Sequence, residues 1–264
     1  MEKLTEKEIK QVELDILKYV HDFCEENGLK YIMNYGTLLG AVRHKGFIPW
    51  DDDIDISMPR DDYEILISKF PTGGRYKILN HKTDDKYYNN FIKIIDTKTT
   101  IVDNRNDKTY DSGLFIDVFP MDRFDELKVI KKTYDLESFK LLSFSKYKNI
   151  VYGDSKIKDG IRSLCWFVLK PVSPKFFAKR IDRVVEKYQC KNGKYIGLLA
   201  SKFKEKEVLL FDPFKDIIDM PFEGEKLKGP AQYDKLLRQY YGEYMTLPPI
   251  EKQINPHGLD AFYK

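Results

Sequence analysis

Two aspartates separated by a single isoleucine are the residues of this sequence best suited to do chemistry. In residues 50–58, Asp53 and Asp55 alternate with Ile54 and Ile56. This period of two predicts a strand with one acidic face and one apolar face. Carboxylates on Cα atoms about 6 to 7 Å apart repel each other unless a cation lies between them. Mg²⁺ binds one or two carboxylates together with phosphate oxygens, so the pair predicts a metal-dependent phosphoryl-transfer site.

Two other interpretations of the acidic run compete with this one. Acidic tracts are usually solvated surface, although alternation with isoleucine is unusual for such a surface. Asp51, Asp53 and Asp55 also match the first three ligand positions of a calcium-binding loop. Ile56 stands where that loop requires glycine, and Asp62 where it requires glutamate, which excludes a calcium loop.

A third carboxylate is expected, because a metal on two carboxylates usually has another ligand and an attacking hydroxyl needs a base. Asp117 lies in the apolar run of residues 113–120, where an unpaired ionised aspartate would be costly. We therefore predict Asp117 as a metal ligand or base, with pairing to a buried Lys or Arg as the alternative.

Residues that could contact phosphate lie on both sides of the acidic pair. Gly36 and Thr37 stand between a predicted strand and a short predicted helix, where backbone N–H groups can face an anion. An ordinary turn with Thr37 as helix N-cap is the alternative. Lys93 shares a predicted strand face with Phe91 and Ile95, an unusual position for a merely solvated charge, so it is a candidate phosphate cation.

The predicted elements place these residues on an α+β scaffold of a mixed sheet flanked by helices. A capping box at Thr5 and Glu8 opens an amphipathic helix that ends at Gly28. Further helices are predicted at residues 38–42, 61–70 and 231–241. Strands are predicted at residues 31–35, 50–58, 76–79, 91–96, 99–102, 114–119, 208–211 and 217–222. We predict a catalytic core at 1–124, a basic helical subdomain at 125–190 and a mixed part at 191–264.

Composition excludes several classes of protein. The chain of 264 residues is 42% hydrophobic, which is too apolar for a disordered chain. Its uncharged apolar run at residues 163–169 is far shorter than the roughly 20 residues of a membrane-spanning helix. Three scattered cysteines suggest neither a disulfide framework nor a zinc site. With no secretory signal pattern at the first residues, we expect a cytoplasmic protein.

Charge is unevenly distributed along the chain. Residues 128–183 contain 14 basic and 5 acidic side chains, an excess of +9, so the remainder carries −6 of the net charge of +3. Basic and aromatic residues at 162–180 could lie on an anionic membrane surface. A core helix with solvated lysines is the alternative, and is slightly favoured. Nucleic-acid binding is not expected from so small a net charge.

Three segments resemble the LicD family of phosphotransferases. They are Gly36-Thr37 followed by GAVRHKGFIPWDDDIDI at residues 40–56, FIDVFP at 115–120, and YDKLLRQYYGEYMTLP at 233–248. The resemblance implies a nucleotidyltransferase-like fold in which Gly36 and Thr37 form the family's turn. It implies that Asp53, Asp55 and Asp117 are the family's acids and metal ligands. Arg43, within the first of these segments, is a further candidate phosphate cation.

The family resemblance implies transfer of a phospho-alcohol, most often phosphocholine, from a cytidine diphosphate donor to a hydroxyl of a cell-surface glycan or teichoic acid precursor. The acceptor could be lipid-linked, and Mg²⁺, or Mn²⁺ in its place, would be the cofactor. Two rivals remain open: a nucleotidyltransferase that releases pyrophosphate, and an inactive glycan- or nucleic-acid-binding module. A choline cage would need aromatic rings, which the sequence alone cannot select.

Overall fold

The computed structural model describes residues 2–103, 112–144, 156–169, 171–201, 203–255 and 259–264. Its helices in chain order are α1 (Glu6–Asn27), α2 (Tyr35–Arg43), α3 (Arg60–Lys69), α4 (Lys128–Phe144), α5 (Lys156–Leu169), α6 (Pro174–Tyr188) and α7 (Tyr233–Tyr241). Its strands are β1 (Ile32–Met33), β2 (Asp55–Pro59), β3 (Tyr76–Leu79), β4 (Ile92–Asp96), β5 (Thr99–Asp103), β6 (Phe115–Phe124), β7 (Tyr195–Gly197), β8 (Val208–Leu209), β9 (Ile217–Phe222), β10 (Glu225–Pro230) and β11 (Leu259–Tyr263).

A mixed sheet forms the centre of the molecule, in the order β1-β2-β6-β4-β3. Strand β6 is parallel to β2 and antiparallel to β4, and its far end pairs with β7, which continues the sheet to β8. Two antiparallel pairs, the hairpin of β9 with β10 and the long-range pair of β5 with β11, lie outside this path. The mixed α and β architecture predicted from the sequence is confirmed.

Helix α1 covers the apolar side of this sheet. Its capping box at Thr5 is formed as predicted, and Gly28 ends the helix at φ 65°, a left-handed conformation that glycine adopts without a steric cost. The helix packs against β4 and β6. Ile16, Ile94 and Ile116 are all fully buried in one apolar cluster. One face of the sheet is therefore committed to the core, and the chemistry must use the other.

The acidic strand is shorter than its alternating pattern predicts. We expected a strand over residues 50–58, but β2 begins at Asp55, and Asp53 lies in the preceding irregular segment. The N–H of Asp51 is taken by the carbonyl of Ile48 at 2.9 Å, in a turn. Ladder pairing starts only where β6 offers a partner, at the Asp55 and Asp117 register.

The predicted strand at residues 31–35 is also too long. Pairing covers only Ile32 and Met33, and α2 already begins at Tyr35. Gly36 and Thr37 therefore lie in the first turn of a helix and not in a strand-to-helix turn before it. The alternative interpretation, in which Thr37 is the helix N-cap, is wrong, because Asn34 occupies that position.

The basic central region is helical, as predicted. Helix α6 starts at Pro174, a residue suited to the first helical position because its missing N–H would have no partner there. A second apolar cluster joins α4, α6 and the end of β6, through Val129, Ile181 and Phe124 among others. The division into parts at 124 and 190 stays a prediction. Among the helices described, none combines the length and apolar character needed to cross a bilayer.

Candidate active site

Three predicted site residues lie side by side across the central strands. Asp55 on β2 is in register with Asp117 on β6, and Asp117 is in register with Lys93 on β4. Neighbouring strands are about 4.8 Å apart, so the three side chains form one short row of acid, acid and base. Sequence reasoning chose each residue separately, and the sheet brings them together.

The row lies on the face of the sheet that is not committed to the core. Along β6, the half-exposed residues Phe115, Asp117 and Phe119 alternate with the fully buried Ile116 and Val118. Alternate residues of a strand point to opposite faces. Asp117 therefore shares its face with two aromatic residues and stays accessible to a substrate.

Lys93 forms an ion pair with Asp117, the third predicted acid of the site. Its Nζ lies 2.6 Å from Oδ1 of Asp117, and the two side chains are only 17% and 15% exposed. The same Nζ is 3.2 Å from the centroid of the Phe115 ring and 5.8 Å from that of Phe91. The ammonium group is thus fixed between a carboxylate and aromatic faces. The ion pair that we considered as the alternative for Asp117 is present, and its cation is a predicted phosphate ligand.

Asp55 is buried beside several other carboxylates. Burial raises the pKa of Asp55 well above its ordinary value. The negative charges of Asp53 and Asp117 raise it further, and that of Asp51 adds to them, whereas Lys93 opposes the rise. Asp55 is thus affected by the charges of three other carboxylates and of the Lys93 ammonium group. The excess of negative charge attracts additional cations.

Helix α2 and its N-cap residue hold Asp55 through hydrogen bonds to the backbone of Asp55. The hydroxyl oxygen of Thr37 accepts the N–H of Asp55 at 2.8 Å, and the N–H of Asn34 donates to the carbonyl of Asp55 at 3.0 Å. Thr37 is only 3% exposed. The predicted phosphate contact of Thr37 stays a prediction, and the structure gives its oxygen a role in holding the central acid.

Gly36 allows the first turn of α2 to lie close to the side chain of Asp51. A Cβ at this position would lie 2.7 Å from Oδ2 of Asp51, closer than real Cβ contacts come. The preceding residue, Tyr35, has φ 44°, a left-handed conformation that is costly for a bulky side chain. Strain of this kind is concentrated at functional sites, where surrounding contacts hold it in place. The first turn of α2 therefore lies directly against the acidic segment.

Arg43 lies at the other end of α2. Its Nη1 donates to the carbonyl of Tyr244 at 2.7 Å, which ties α2 to the segment after α7. Burial lowers the pKa of Arg43, against the opposing charge of Tyr241. The guanidinium group has a structural partner, and its contact with phosphate stays a prediction.

Aromatic residues and one further carboxylate surround the row, and sequence reasoning missed them. The ring of Tyr35 stacks on that of Tyr240 at 5.3 Å between centroids and meets the ring of Phe119 edge to face at 5.3 Å. Glu207 is 3% exposed. Burial and the charge of Glu207 raise the pKa of Tyr35. The closing segment that resembles the LicD family, which contains Tyr240, was the signal available for this cluster.

Tyr241 links α7 to the acids. Partial burial raises its pKa, and the charges of Asp55, Asp51 and Asp53 raise it further. Asp53, although outside the strand, therefore acts on the same region as Asp55 and Asp51. The C-terminal helix closes one side of the site.

The donor chemistry around Asp55 suits a divalent cation, because oxygen ligands with excess negative charge are what Mg²⁺ and Mn²⁺ prefer. In the described part of the chain, no group of three or more His, Cys, Asp or Glu side chains converges as a ready-made metal site. Carboxylates from two strands and one irregular segment would have to move together to share an ion.

Comparison with known proteins identifies the family. Residues 28–148 match the model described as "LicD/FKTN/FKRP, nucleotidyltransferase domain". Over its full length, the chain is 34% identical to the lipopolysaccharide cholinephosphotransferase LicD of Haemophilus influenzae, of which it covers 99%. A segment of 45 residues, 17% of the chain, is 42% identical to the ribitol 5-phosphate transferase FKRP of mouse and of human, and covers 9% of each of those proteins. The acidic row and its supporting helix thus lie within the matched domain, and the chain belongs to the LicD family.

Proposed function

We propose that this protein transfers a phospho-alcohol, preferentially phosphocholine, from a cytidine diphosphate donor to a hydroxyl of a cell-surface glycan such as a lipopolysaccharide or teichoic acid precursor. The row of Asp55, Asp117 and Lys93 on the open face of the sheet carries this proposal. A full-length match to a lipopolysaccharide cholinephosphotransferase supports the choice of phosphocholine.

The reaction is an in-line displacement at phosphorus. The acceptor hydroxyl forms a bond to the phosphorus that bears choline, and the bond from that phosphorus to the bridging oxygen breaks. Cytidine monophosphate leaves with the bridging oxygen and its electron pair. Asp117 is the proposed acceptor of the hydroxyl proton, because its carboxylate stands on the open face. Lys93, fixed beside it, stabilises negative charge on the transferred phosphate.

Mg²⁺, or Mn²⁺ in its place, is the proposed cofactor. Asp53, Asp55 and Asp117 would hold it, and the excess of carboxylates around Asp55 supports this choice. When bound, the metal would neutralise charge on the donor diphosphate. Thr37 and Gly36 would keep the acids in place, with Arg43 as a further candidate for phosphate.

The aromatic cluster beside the acids supports choline over an uncharged alcohol. A quaternary ammonium group binds to aromatic faces, and a nearby carboxylate strengthens that binding. Tyr35, Phe119 and Tyr240 supply rings, and Glu207 supplies buried negative charge. Phe119 lies two residues beyond Asp117 on the same face of β6. That separation, about 7 Å at Cα, suits an ammonium group that follows phosphate by two methylenes.

Ribitol phosphate is the second candidate for the transferred group, since a short segment matches ribitol 5-phosphate transferases. Ribitol carries no charge, so the cluster around Glu207 would give it no electrostatic advantage. A nucleotidyltransferase, suggested by the description of the matching model, would release pyrophosphate from a triphosphate. We propose a cytoplasmic location, where cytidine nucleotides are made available, and a lipid-linked form of the acceptor.

Transfer to a delipidated glycan acceptor tests these proposals. The full chain would be incubated with cytidine diphosphate-choline, cytidine diphosphate-ribitol or cytidine triphosphate, with Mg²⁺ or with a chelator. Cytidine monophosphate, pyrophosphate and glycan mass would be measured. We expect metal-dependent release of cytidine monophosphate, a glycan heavier by phosphocholine, and a preference for the choline donor. Pyrophosphate release from the triphosphate alone would establish the nucleotidyltransferase instead.

Matched variants locate the chemistry. Asp55→Asn and Asp117→Asn should each lower kcat/KM by about a hundredfold or more, as expected when a charge-bearing group of a phosphoryl-transfer centre is removed. Asp61→Asn is the control, because Asp61 is an exposed aspartate of the neighbouring helix α3. Tyr240→Leu should raise KM for the choline donor more than for the ribitol donor. Equal loss with both donors would assign the cluster to packing.

A further inference from the structure

Helix α5 exposes an apolar face to solvent. Leu164, Phe167 and Val168 are 64%, 72% and 59% exposed. Residues at i, i+3 and i+4 lie on one side of a helix, so the three form a continuous apolar ridge. A core helix would bury Val168, so its exposure weighs against that alternative. Large apolar groups left in water cost free energy and mark surfaces that bind a partner or a membrane.

Helix α6 follows after a short connection and exposes a basic face. Phe176 is 49% exposed, and Lys179, Arg180 and Arg183 follow it at helical spacing, all exposed. The guanidinium carbon of Arg180 lies 5.1 Å from the Phe176 ring centroid. The opposite side of α6, with Ile181 among others, packs into the core. The helix is therefore amphipathic, with an aromatic and cationic outer side.

We propose that these two outer faces together bind an anionic phospholipid bilayer. The docking face is defined by Leu164, Phe167 and Val168 of α5 and by Phe176, Lys179, Arg180 and Arg183 of α6. Apolar side chains enter the boundary between headgroups and acyl chains, and cations contact lipid phosphates. Charge complementarity favours anionic lipid, because residues 128–183, which contain the docking face, carry +9 while the remainder carries −6, and a negative surface attracts this excess of positive charge.

A buried polar contact ties the docking face to the acidic row. Nδ2 of Asn90 donates to the carbonyl of Ala178 on α6 at 2.9 Å and to Oδ1 of Asp182 at 2.8 Å. Its Oδ1 accepts from Nζ of Lys140 on α4 at 3.0 Å. Asn90 precedes Lys93 by three residues. Buried hydrogen bonds of this kind are costly to break, so they hold α6 against the segment that leads into β4.

Membrane binding deepens the proposed function. It rests on that function for one point, that the membrane carries a lipid-linked glycan acceptor. A bilayer bound to the docking face would hold the site at a fixed height over the headgroups. The acceptor would then approach Asp117 by diffusion in two dimensions. Membrane binding itself does not depend on the identity of the transferred group.

Vesicle flotation tests the docking face with the full chain. Vesicles of phosphatidylglycerol and phosphatidylcholine in equal parts would be compared with vesicles of phosphatidylcholine alone. The variants are Leu164→Ser/Phe167→Ser for the apolar ridge and Lys179→Glu/Arg180→Glu for the basic face. The matched control is Ile250→Ser/Ile254→Ser, because those isoleucines are also highly exposed, at 83% and 67%, but lie outside the docking face.

We expect the wild type to bind anionic vesicles. Each docking-face variant should bind them at least about tenfold more weakly, and the control should bind as the wild type does. Thermal unfolding and transfer to a delipidated glycan should stay at wild-type levels in all variants. Failure of the wild type to bind anionic vesicles, or equal binding to neutral ones, would overturn the inference. A wild-type dimer in light scattering that both docking-face variants dissociate would also overturn it, since a second copy would then cover this face.

The two proposals fail in different assays. Loss of transfer to the delipidated glycan, with vesicle binding retained, would count against the proposed function alone. Loss of vesicle binding, with that transfer retained, would count against the docking face alone.

Discussion

The hydrogen bond between the hydroxyl oxygen of Thr37 and the backbone N–H of Asp55 fixes the central acid to the first turn of α2. Replacing Thr37 by valine keeps the shape of the side chain and removes the acceptor. Because Thr37 is 3% exposed, water cannot readily take its place at the N–H of Asp55. A buried donor left without an acceptor costs about 1 to 3 kcal/mol, and we expect the free energy of unfolding to fall by that amount.

Thr37→Ser is the matched control. It keeps the oxygen that lies 2.8 Å from the Asp55 nitrogen and loses only a methyl group, at a cost of about 0.5 to 1.5 kcal/mol. Urea unfolding measures the free energy, with an unchanged dependence on urea as the sign that the same state unfolds. We expect kcat/KM for phosphocholine transfer to fall with valine and to stay near wild type with serine.

Two results would refute this reasoning. Equal stability of Thr37→Val and wild type would mean that the hydrogen bond contributes nothing in solution. Lower stability with unchanged kcat/KM would mean that the position of Asp55 does not limit the reaction. A rise in KM for the donor with valine but not with serine would instead support the direct phosphate contact predicted from the sequence.

Three further predictions concern the scaffold. Gly40→Ala should destabilise the fold by about 1 to 3 kcal/mol, because its Cβ would lie 2.3 Å from the carbonyl oxygen of Gly46; thermal unfolding measures this. Arg60→Met should cost about 3 to 5 kcal/mol at neutral pH, because Asp122, 1% exposed, loses a bidentate partner at 2.7 and 2.9 Å; Arg60→Met/Asp122→Leu should recover part of that loss in urea unfolding. Burial alone would raise the pKa of Asp182, but hydrogen bonds from a histidine ring and an asparagine amide hold it below its ordinary value. A depressed carboxyl pKa stabilises the fold above the ordinary value of about 4 and loses that contribution as pH falls through the folded-state pKa, so Asp182→Asn should destabilise at pH 7 and differ less from wild type below pH 4, again by urea unfolding.

Local signals in the sequence were sufficient to bound the first helix. The capping box at Thr5 and the glycine at position 28 bound α1 as predicted, because caps depend only on residues within one turn. Strand limits were less accurate. Alternation of aspartate and isoleucine extends back to Asp53, but a strand requires a partner, and β6 meets this segment only from Asp55 onward.

The candidate site divides in the same way. The acids and Lys93 were found from their types and neighbours, because a charge inside an apolar run is visible in the sequence. That Lys93 pairs with Asp117 follows from strand register, which joins residues 24 positions apart. Glu207 and Tyr240 are far from the acids in sequence and reach Tyr35 only through tertiary packing. No local pattern marks Glu207, since a single glutamate is ordinary in a chain with 33% charged residues. Tyr240, one of 18 tyrosines, is distinguished only by its place in the closing segment that resembles the LicD family.

The acids of the row repel one another on strands whose opposite face is fully buried. Asp55 and Asp117 repel each other from adjacent strands, and one ammonium group, that of Lys93, offsets only part of the repulsion. Such a site lowers the stability of the protein until substrate cations and metal arrive. The buried side chains directly beneath, Ile56 and Val118, are both fully excluded from solvent, and their burial stabilises the two strands that the acids push apart. Along each of the two strands, an acid that is repelled by its neighbour is therefore followed by a residue whose burial stabilises the strand.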